Sequence, residues 1–254
     1  MDNLEIQRKT WDVLAQVDPM WAILTDDQKL GGKWKPAEFF EEGRIEVNAL
    51  VSELKSLGLP VAMGDVLDFG CGIGRLSQAF CNHFRSCTGV DISPLMIVKA
   101  AEFNRFPDRC RYVVNEAPDL HQFPDGSFDV VYSNIVLQHV HPGIAKRYIR
   151  DFVRIVRPGG LIVFQIPYWI HWKRRVQWRR RLFELLVRLG LQGQFLITRL
   201  KMNPMRMSFL RRETIEKILT ESGCSLRDVK SWTDGEIGSC RYLAVKTLAS
   251  VTKI

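Results

Sequence analysis

The sequence contains neither a long apolar run nor a paired-cysteine motif. No stretch approaches the roughly 18 apolar residues that a membrane-spanning helix needs, and residues 1–16 lack the continuous apolar core of a secretory signal. We therefore expect a cytoplasmic protein, with peripheral contact at the inner face of a membrane left open. The six cysteines form no CxxC pair and have no histidine at zinc-finger spacing, so we expect reduced thiols and no metal site.

Acidic residues are scarce in one segment of an otherwise ordinary composition. The chain of 254 residues is 46% hydrophobic and 25% charged, which is typical of a folded domain with a core. Its formal charge is +8, but residues 168–212 contain twelve Lys and Arg and one acid, so that they carry +11 and the remaining residues carry −3. This placement argues against a general nucleic-acid-coating role and indicates one specialised basic segment.

Short apolar segments alternate with amphipathic ones along the middle of the chain. This alternation favours a parallel sheet with helices on both faces, which is a Rossmann-like three-layer αβα sandwich of the α/β class. A helix followed by two more strands is predicted after residue 210. The five buried strands of the alternating part are predicted at 65–69, 87–91, 110–114, 128–133 and 161–166.

The order of these elements divides the chain into four parts. Residues 1–60 predict an N-terminal helical lid, and residues 61–167 predict the Rossmann-like core that would bind a ligand. Residues 168–208 predict a basic helical insertion that could cap the site. Residues 209–254 predict a C-terminal helix and a strand pair that complete the sheet.

Three glycines, Gly70, Gly72 and Gly74, lie directly between a predicted strand and a predicted helix. Such a turn lets the backbone touch a ligand without interference from Cβ atoms, and it points the N-terminal amides of the helix at that ligand. A dinucleotide-binding loop would read GxGxxG, whereas the spacing here is GxGxG. The loop therefore favours a ligand of another kind.

Two acids accompany the glycine loop. Asp68 precedes it by two residues, where a carboxylate would repel a pyrophosphate but could anchor a cationic amino group. Asp91 ends the second predicted strand, where a carboxylate can accept hydrogen bonds from both hydroxyls of a ribose. Together these acids favour a nucleoside that carries an amino-acid tail and no phosphate.

Four segments in this order resemble the motif series of class I S-adenosylmethionine-dependent methyltransferases: VLDFGCGIGR, GVDIS, YVVNEAPDLHQFPDGSFDVVYSN and VRPGGLIVF. The resemblance spans about residues 62–167 and is nearest to the small-molecule group that includes quinone-biosynthesis enzymes. It implies a seven-stranded, mostly parallel sheet with an antiparallel last strand. It also implies S-adenosylmethionine as the methyl donor, S-adenosylhomocysteine as the product, and transfer to oxygen, nitrogen or carbon of a small or lipid-linked acceptor.

The resemblance also implies roles for individual residues. Those implied to bind the donor are Asp68, Gly70, Gly72 and Gly74 at the methionine end, Asp91 at the ribose, Ile92 on an adenine face, Glu116 and Ala117 near the adenine amino group, and Asn134 where the donor and acceptor pockets meet.

Two histidines follow the fourth predicted strand and are the candidate catalytic bases. Ligands of open α/β sheets bind at the carboxyl ends of strands, which places His139 and His141 at the site. An imidazole with a pKa near 6.5 could take a proton at neutral pH, and we favour His139 over His141. The alternative is that His139 packs at the start of a helix and that His141 only forms a turn.

The basic segment interleaves aromatic and cationic side chains from Tyr168 to Leu191. It could pack an apolar face on the domain and leave its arginines in water, cap an anionic acceptor, or contact an anionic membrane through residues 169–189. Binding of nucleic acid is a weaker alternative. RNA methylation, and a methyltransferase fold kept only as a binding subunit, therefore remain alternative functions.

Overall fold

The computed structural model describes residues 3–26, 28–59, 64–200, 202 and 204–248, and these contain one seven-stranded sheet. The strand order is β3-β2-β1-β4-β5-β7-β6, with β7 antiparallel to both of its neighbours and the β1–β5 pairings all parallel. The predicted fold class is confirmed. The strands are β1 (Asp65–Phe69), β2 (Ser86–Asp91), β3 (Cys110–Val114), β4 (Phe128–Ser133), β5 (Val156–Ile170), β6 (Cys224–Asp234) and β7 (Ile237–Lys246).

Several helices begin at a proline or directly after a residue whose side chain caps the helix. Proline opens α2, α3, α5 and α6, where its fixed φ suits the first helical turn. Asp18 and Ser93 cap α2 and α5 by accepting backbone N–H groups. The helices are α1 (Asn3–Val17), α2 (Pro19–Ile23), α3 (Pro36–Ser56), α4 (Arg75–Phe80), α5 (Pro94–Glu102), α6 (Pro142–Ile155), α7 (Trp172–Arg175), α8 (Trp178–Arg188), α9 (Gly193–Thr198) and α10 (Arg212–Glu221).

Side chains of the central strands alternate between two apolar layers. Leu67 and Phe69 of β1 belong to a cluster with α6 and α10, whereas Val66 belongs to a second cluster with α3 and α4. Helices therefore cover both faces of the sheet. Strand β1 runs parallel to β2 and β4, and its carboxyl end leads directly into the glycine loop.

Strand β5 is longer than the sequence predicts. The prediction covers 161–166, but β5 runs from Val156 to Ile170 because β7 pairs with it as far as Ile170. Alternating hydrophobicity shows only the part of a strand that lies in the core, so that its ends, which depend on a distant partner, are not visible in the sequence.

A third apolar cluster joins the N-terminal helices to the insertion. Phe183 of α8 and Leu196 of α9 are buried with Leu14 and Ala15 of α1. The predicted lid and the predicted cap are thus one packed layer. Among the described residues, no helix is both long and apolar enough to cross a membrane.

Candidate functional site

A cleft lies at the carboxyl ends of β1, β2 and β4, where ligands of open α/β sheets bind. Its walls come from the loops after these strands, from the N-terminal helices and from the end of the insertion. The lining includes Asp68, Gly70, Gly72, Arg75, Asp91, Ile92, Asn115, Asn134, Ile135, Gln138 and His139 from the loops, Gln7, Trp11, Ile23 and Thr25 from the N-terminal part, and Met205 and Met207 from the insertion.

The glycine loop requires glycine at each of its three positions. Gly70, Gly72 and Gly74 have φ values of 78°, 53° and 82°, in the left-handed region that favours glycine. A Cβ atom on Gly70 would overlap the side chain of Val136, and one on Gly72 would overlap Ile23. Gly74 lies outside the cleft lining, at the start of α4, so it shapes the turn instead of facing the cleft.

Asp68 and Arg75 are both buried at one end of the cleft, where each is bonded to a different partner. Asp68 accepts a hydrogen bond of 2.6 Å from the Ser77 hydroxyl, and burial raises the pKa of its carboxyl to about 7. The Nη2 of Arg75 bonds the Glu46 carboxylate at 2.8 Å, while its buried Nε has no partner within the described residues. The sequence reasoning missed Arg75, although it ends the motif VLDFGCGIGR.

Asp91 is held by backbone amides at the carboxyl end of β2. Its Oδ2 accepts from the N–H of Gly72 and its Oδ1 from the N–H of Ser93, each at 2.9 Å. Burial raises the pKa of Asp91 to about 6. The two amides fix the carboxylate where a second acceptor lone pair on each oxygen can face the cleft.

Beyond β3 the lining residue is Asn115, not the Glu116 and Ala117 that the resemblance implied. Glu116 is exposed and forms an ion pair of 3.2 Å with Arg8 of α1. The Ala117 carbonyl accepts a hydrogen bond of 2.6 Å from the Tyr148 hydroxyl. The cleft lining after β3 is therefore formed by Asn115, which directly follows the strand, and the roles implied for Glu116 and Ala117 stay predictions.

Helix α1 lines the cleft and is fastened beside the end of β2. The carboxylate of Asp12 accepts a hydrogen bond of 2.6 Å from the Ser93 hydroxyl, next to Asp91. Trp11 of the same helix lines the cleft and packs edge-on against His139, with 5.4 Å between ring centroids. This placement agrees with the predicted lid, whose role stays a prediction.

One residue of the cleft lining, in the loop after β4, has a strained backbone. Ile135 has a φ of 60°, which is a genuine outlier for a β-branched residue. Its N–H donates to the side chain of Gln165 at 3.2 Å, and Gln165 is in turn bonded to Ser239 at 3.1 Å. Asn134, just before it, donates to Glu46 at 2.7 Å. Such over-determined strain occurs at functional sites.

His139 reaches the cleft, whereas His141 does not. His139 Nδ1 lies 2.7 Å from the carbonyl oxygen of Arg206, which only accepts, so Nδ1 carries the proton and Nε2 keeps its lone pair. The amide nitrogen of Gln138 lies 3.2 Å from that Nε2. Burial lowers the pKa of His139 to about 4, so the ring is neutral at pH 7. His141 caps α6 by accepting from the N–H of Gly143.

The fold and the cleft define an open α/β domain of the nucleoside-binding type, and comparison with known proteins narrows this class. Residues 67–164 match a family described as "Methyltransferase domain". The chain is 38% identical over 99 residues to 2-methyl-6-phytyl-1,4-hydroquinone methyltransferase of Synechocystis sp., covering 39% of this chain and 30% of that protein. It is 31% identical over 133 residues to the ubiquinone biosynthesis O-methyltransferase of Xanthomonas oryzae pv. oryzae, covering 52% of this chain and 54% of that one.

The fold is also similar to a solved structure of a methyltransferase. The match is to magnesium protoporphyrin IX methyltransferase from Synechocystis with bound SAH, with a TM-score of 0.63 and 20% identity, covering 97% of this chain and all of that one. The chain spans between about a third and a half of the length of the curated relatives named above. Residues 67–164 therefore match a methyltransferase domain, and the resemblance to class I S-adenosylmethionine-dependent methyltransferases is confirmed over this stretch.

Proposed function

We propose that the chain is an S-adenosylmethionine-dependent methyltransferase that acts on oxygen, nitrogen or carbon of a small or lipid-linked acceptor. One observation carries the proposal: a single cleft has a charged, glycine-lined end for a donor and an apolar end with one neutral imidazole for an acceptor. The first end contains Asp68, Arg75 and Asp91, and the second contains Trp11 and His139.

The residues of the charged end fit the donor. Asp68 would face its cationic amino group, and the unpartnered Nε of Arg75 would bind its carboxylate. Asp91 would accept both ribose hydroxyls, with Ile92 against the adenine and Asn115 close by. The left-handed turn at Gly70 and Gly72, where a Cβ would overlap Val136 and Ile23, would hold these backbone atoms in the lining beside the ligand. When bound, the donor supplies a methyl group activated by its sulfonium.

The chain would contribute mainly alignment. Holding the donor and the acceptor in line can lower the activation free energy by ~7–11 kcal/mol. Asn134, which follows β4 and lines the cleft, would lie where the two ends meet and the methyl group passes. The acceptor's electron pair forms the new bond, the bond from methyl carbon to sulfur breaks with its pair staying on sulfur, and a hydroxyl acceptor then releases its proton.

His139 is the candidate for receiving that proton. Its Nε2 carries the lone pair, with the Gln138 amide nitrogen 3.2 Å away, and the Arg206 carbonyl fixes the ring. With a pKa of about 4 it is a weak base in the free protein. It would act as a hydrogen-bond acceptor that takes the proton only as the acceptor hydroxyl becomes acidic during transfer. His141 remains a candidate only through sequence, since it lies outside the lining.

The walls of the acceptor end favour an apolar body. Met205, Met207, Ile135 and Trp11 line it, and among the described lining residues the one Lys or Arg is Arg75, at the donor end. An anionic group on the acceptor, which the basic insertion suggested, would therefore lie outside the cleft beside that insertion. These walls support a hydrophobic small molecule or a lipid-linked one, and a lipid-linked acceptor would bring the protein to a membrane surface.

The test is transfer of a methyl label from S-adenosylmethionine into a cell extract that is then separated into lipid, polar small-molecule and RNA fractions. We expect label in the lipid fraction. Label in RNA would establish the alternative of RNA methylation. Absence of label from every fraction, with the donor bound, would favour a methyltransferase fold kept as a binding subunit.

A further inference from the structure

Helix α8 carries an apolar stripe that points away from the protein. Trp178, Leu182, Leu185 and Leu189 follow one another at intervals of four, three and four residues, so they lie on one side of the helix. They are 62%, 40%, 52% and 68% exposed. We refer to these four residues as the outer stripe.

The outer stripe is not the face that holds the helix in place. Phe183 is buried, and Leu186 packs against the same cluster, so they anchor α8 on α1 and α9 from another side. Burial of one face is enough to fix a surface helix. Four large apolar side chains on a second side are therefore unexplained by folding.

Cations flank the outer stripe. Arg181 and Arg188 are exposed on the same helix, and Lys173 and Arg175 are exposed on α7, immediately before it. The one acid of the segment, Glu184, is bonded to Arg180. Exposed Trp172, at 65%, adds a second indole to the surface. Helices that lie in a membrane interface typically expose Trp and Leu on one side and carry Arg and Lys beside them, as α8 does.

We propose that the outer stripe, with the cations beside it, docks the protein on an anionic lipid bilayer. Lipid headgroups would neutralise Arg181 and Arg188, while the acyl boundary would cover the leucines. RNA would neutralise the cations but would leave the leucines in water. A second copy of this surface would place like charges against like charges.

The docking surface lies beside the cleft. The side-chain amide of Gln177, which precedes α8, donates to the Met207 carbonyl at 2.6 Å, and Met207 lines the acceptor end. A bilayer under α8 would thus bring a lipid-linked acceptor to the end of the cleft that is apolar. This last step rests on the proposed function, whereas the docking itself does not.

The test is sedimentation of the full chain with vesicles of phosphatidylcholine alone or of phosphatidylcholine mixed with phosphatidylglycerol. We expect binding to the mixed vesicles that weakens as salt is raised. Arg181→Gln with Arg188→Gln should lower the partition coefficient about thirtyfold. Trp178→Ser with Leu185→Ser should lower it roughly tenfold or more.

Matched control variants come from other exposed positions. Leu57→Ser removes an apolar side chain that is 44% exposed at the end of α3, and Lys217→Gln removes an exposed cation of α10. Both should bind vesicles as the wild type does. Donor affinity, measured in every variant, reports on the proposed function separately: loss of vesicle binding with donor affinity retained supports the docking surface.

Three results would overturn the inference. One is a wild-type chain that does not bind the mixed vesicles. Another is equal binding by the stripe variants and the controls. The third is a chain that does not bind vesicles and instead either binds an RNA oligonucleotide or forms a dimer that Leu185→Ser abolishes.

Discussion

At the scale of single residues, we expect the carboxyl of Asp68 to couple donor binding to pH. Burial raises its pKa to about 7, so below that pH the free protein holds a proton there. A cationic amino group binds the ionised form, so binding at low pH must first release the proton. Donor affinity should therefore fall by up to about tenfold for each pH unit below 7.

Calorimetric titration with the donor at pH 6 and pH 7.5 would measure this dependence. Asp68→Asn should bind more weakly at both values, with a flatter pH profile. A wild-type affinity that is the same at both pH values would contradict the assigned role of this carboxyl.

His139 gives a second prediction at this scale. In His139→Asn the amide nitrogen can still donate to the Arg206 carbonyl, but the basic nitrogen is lost. For a hydroxyl or acidic carbon acceptor, we expect the initial rate of label transfer to fall by roughly 10²–10⁴ while donor affinity is kept. The matched control is His141→Asn, which retains an N-cap side chain on α6 and should keep the rate. Equal rates in the two variants would remove His139 from the chemistry.

At the scale of elements, the turn between β1 and α4 depends on glycine for two reasons that can be separated. Gly70→Ala forces a side chain into the left-handed region and also into Val136. Gly58→Ala, after α3, meets the same φ restriction, with a φ of 63°, but has open space around the new Cβ. The backbone term alone costs about 1–2 kcal/mol.

Thermal unfolding of the two variants compares these costs. Gly58→Ala should lower the free energy of unfolding by the backbone term and leave donor affinity unchanged. Gly70→Ala should lower the free energy of unfolding further and should also lower the affinity for the donor. If both variants behave alike, the close approach at Gly70 has no role in the site.

Helix α1 should control how fast the product S-adenosylhomocysteine dissociates from the cleft. Asp12→Ala removes the bond to Ser93 that fastens this helix beside Asp91. Because that bond holds Trp11 over the cleft, we expect the dissociation rate of S-adenosylhomocysteine to rise on the order of tenfold, as for a hydrogen bond to a charged group. Glu5→Ala on the same helix removes an exposed pair with Lys9 and serves as the control. Stopped-flow displacement measures both rates, and an unchanged rate in Asp12→Ala would contradict the lid.

At the scale of the whole molecule, the features that the sequence predicted are those whose signals are local. The glycine loop, the acids Asp68 and Asp91, and the alternation of strands and helices each depend on neighbours within a few residues. They are sufficient to predict the fold class and the residues at one end of the cleft.

Other parts of the site depend on contacts between distant segments, and the sequence could not place them. Glu116 lies outside the lining and pairs with Arg8, which comes from another part of the chain. Met205 and Met207 reach the acceptor end only because the insertion folds back over the sheet. The low pKa of His139 follows from burial, which no local pattern reveals.

The central claim, a donor site between β1 and β2, is tested most directly by titrating the chain with S-adenosylmethionine in a calorimeter. We predict saturable binding at one site per chain. Asp91→Ala should weaken it by roughly 1.5–3 kcal/mol, since it loses charge-assisted hydrogen bonds, while Asp108→Ala, at an exposed acid outside the lining, should not. A folded wild-type chain that does not bind the donor, or equal affinity in the Asp91 and Asp108 variants, would contradict the account.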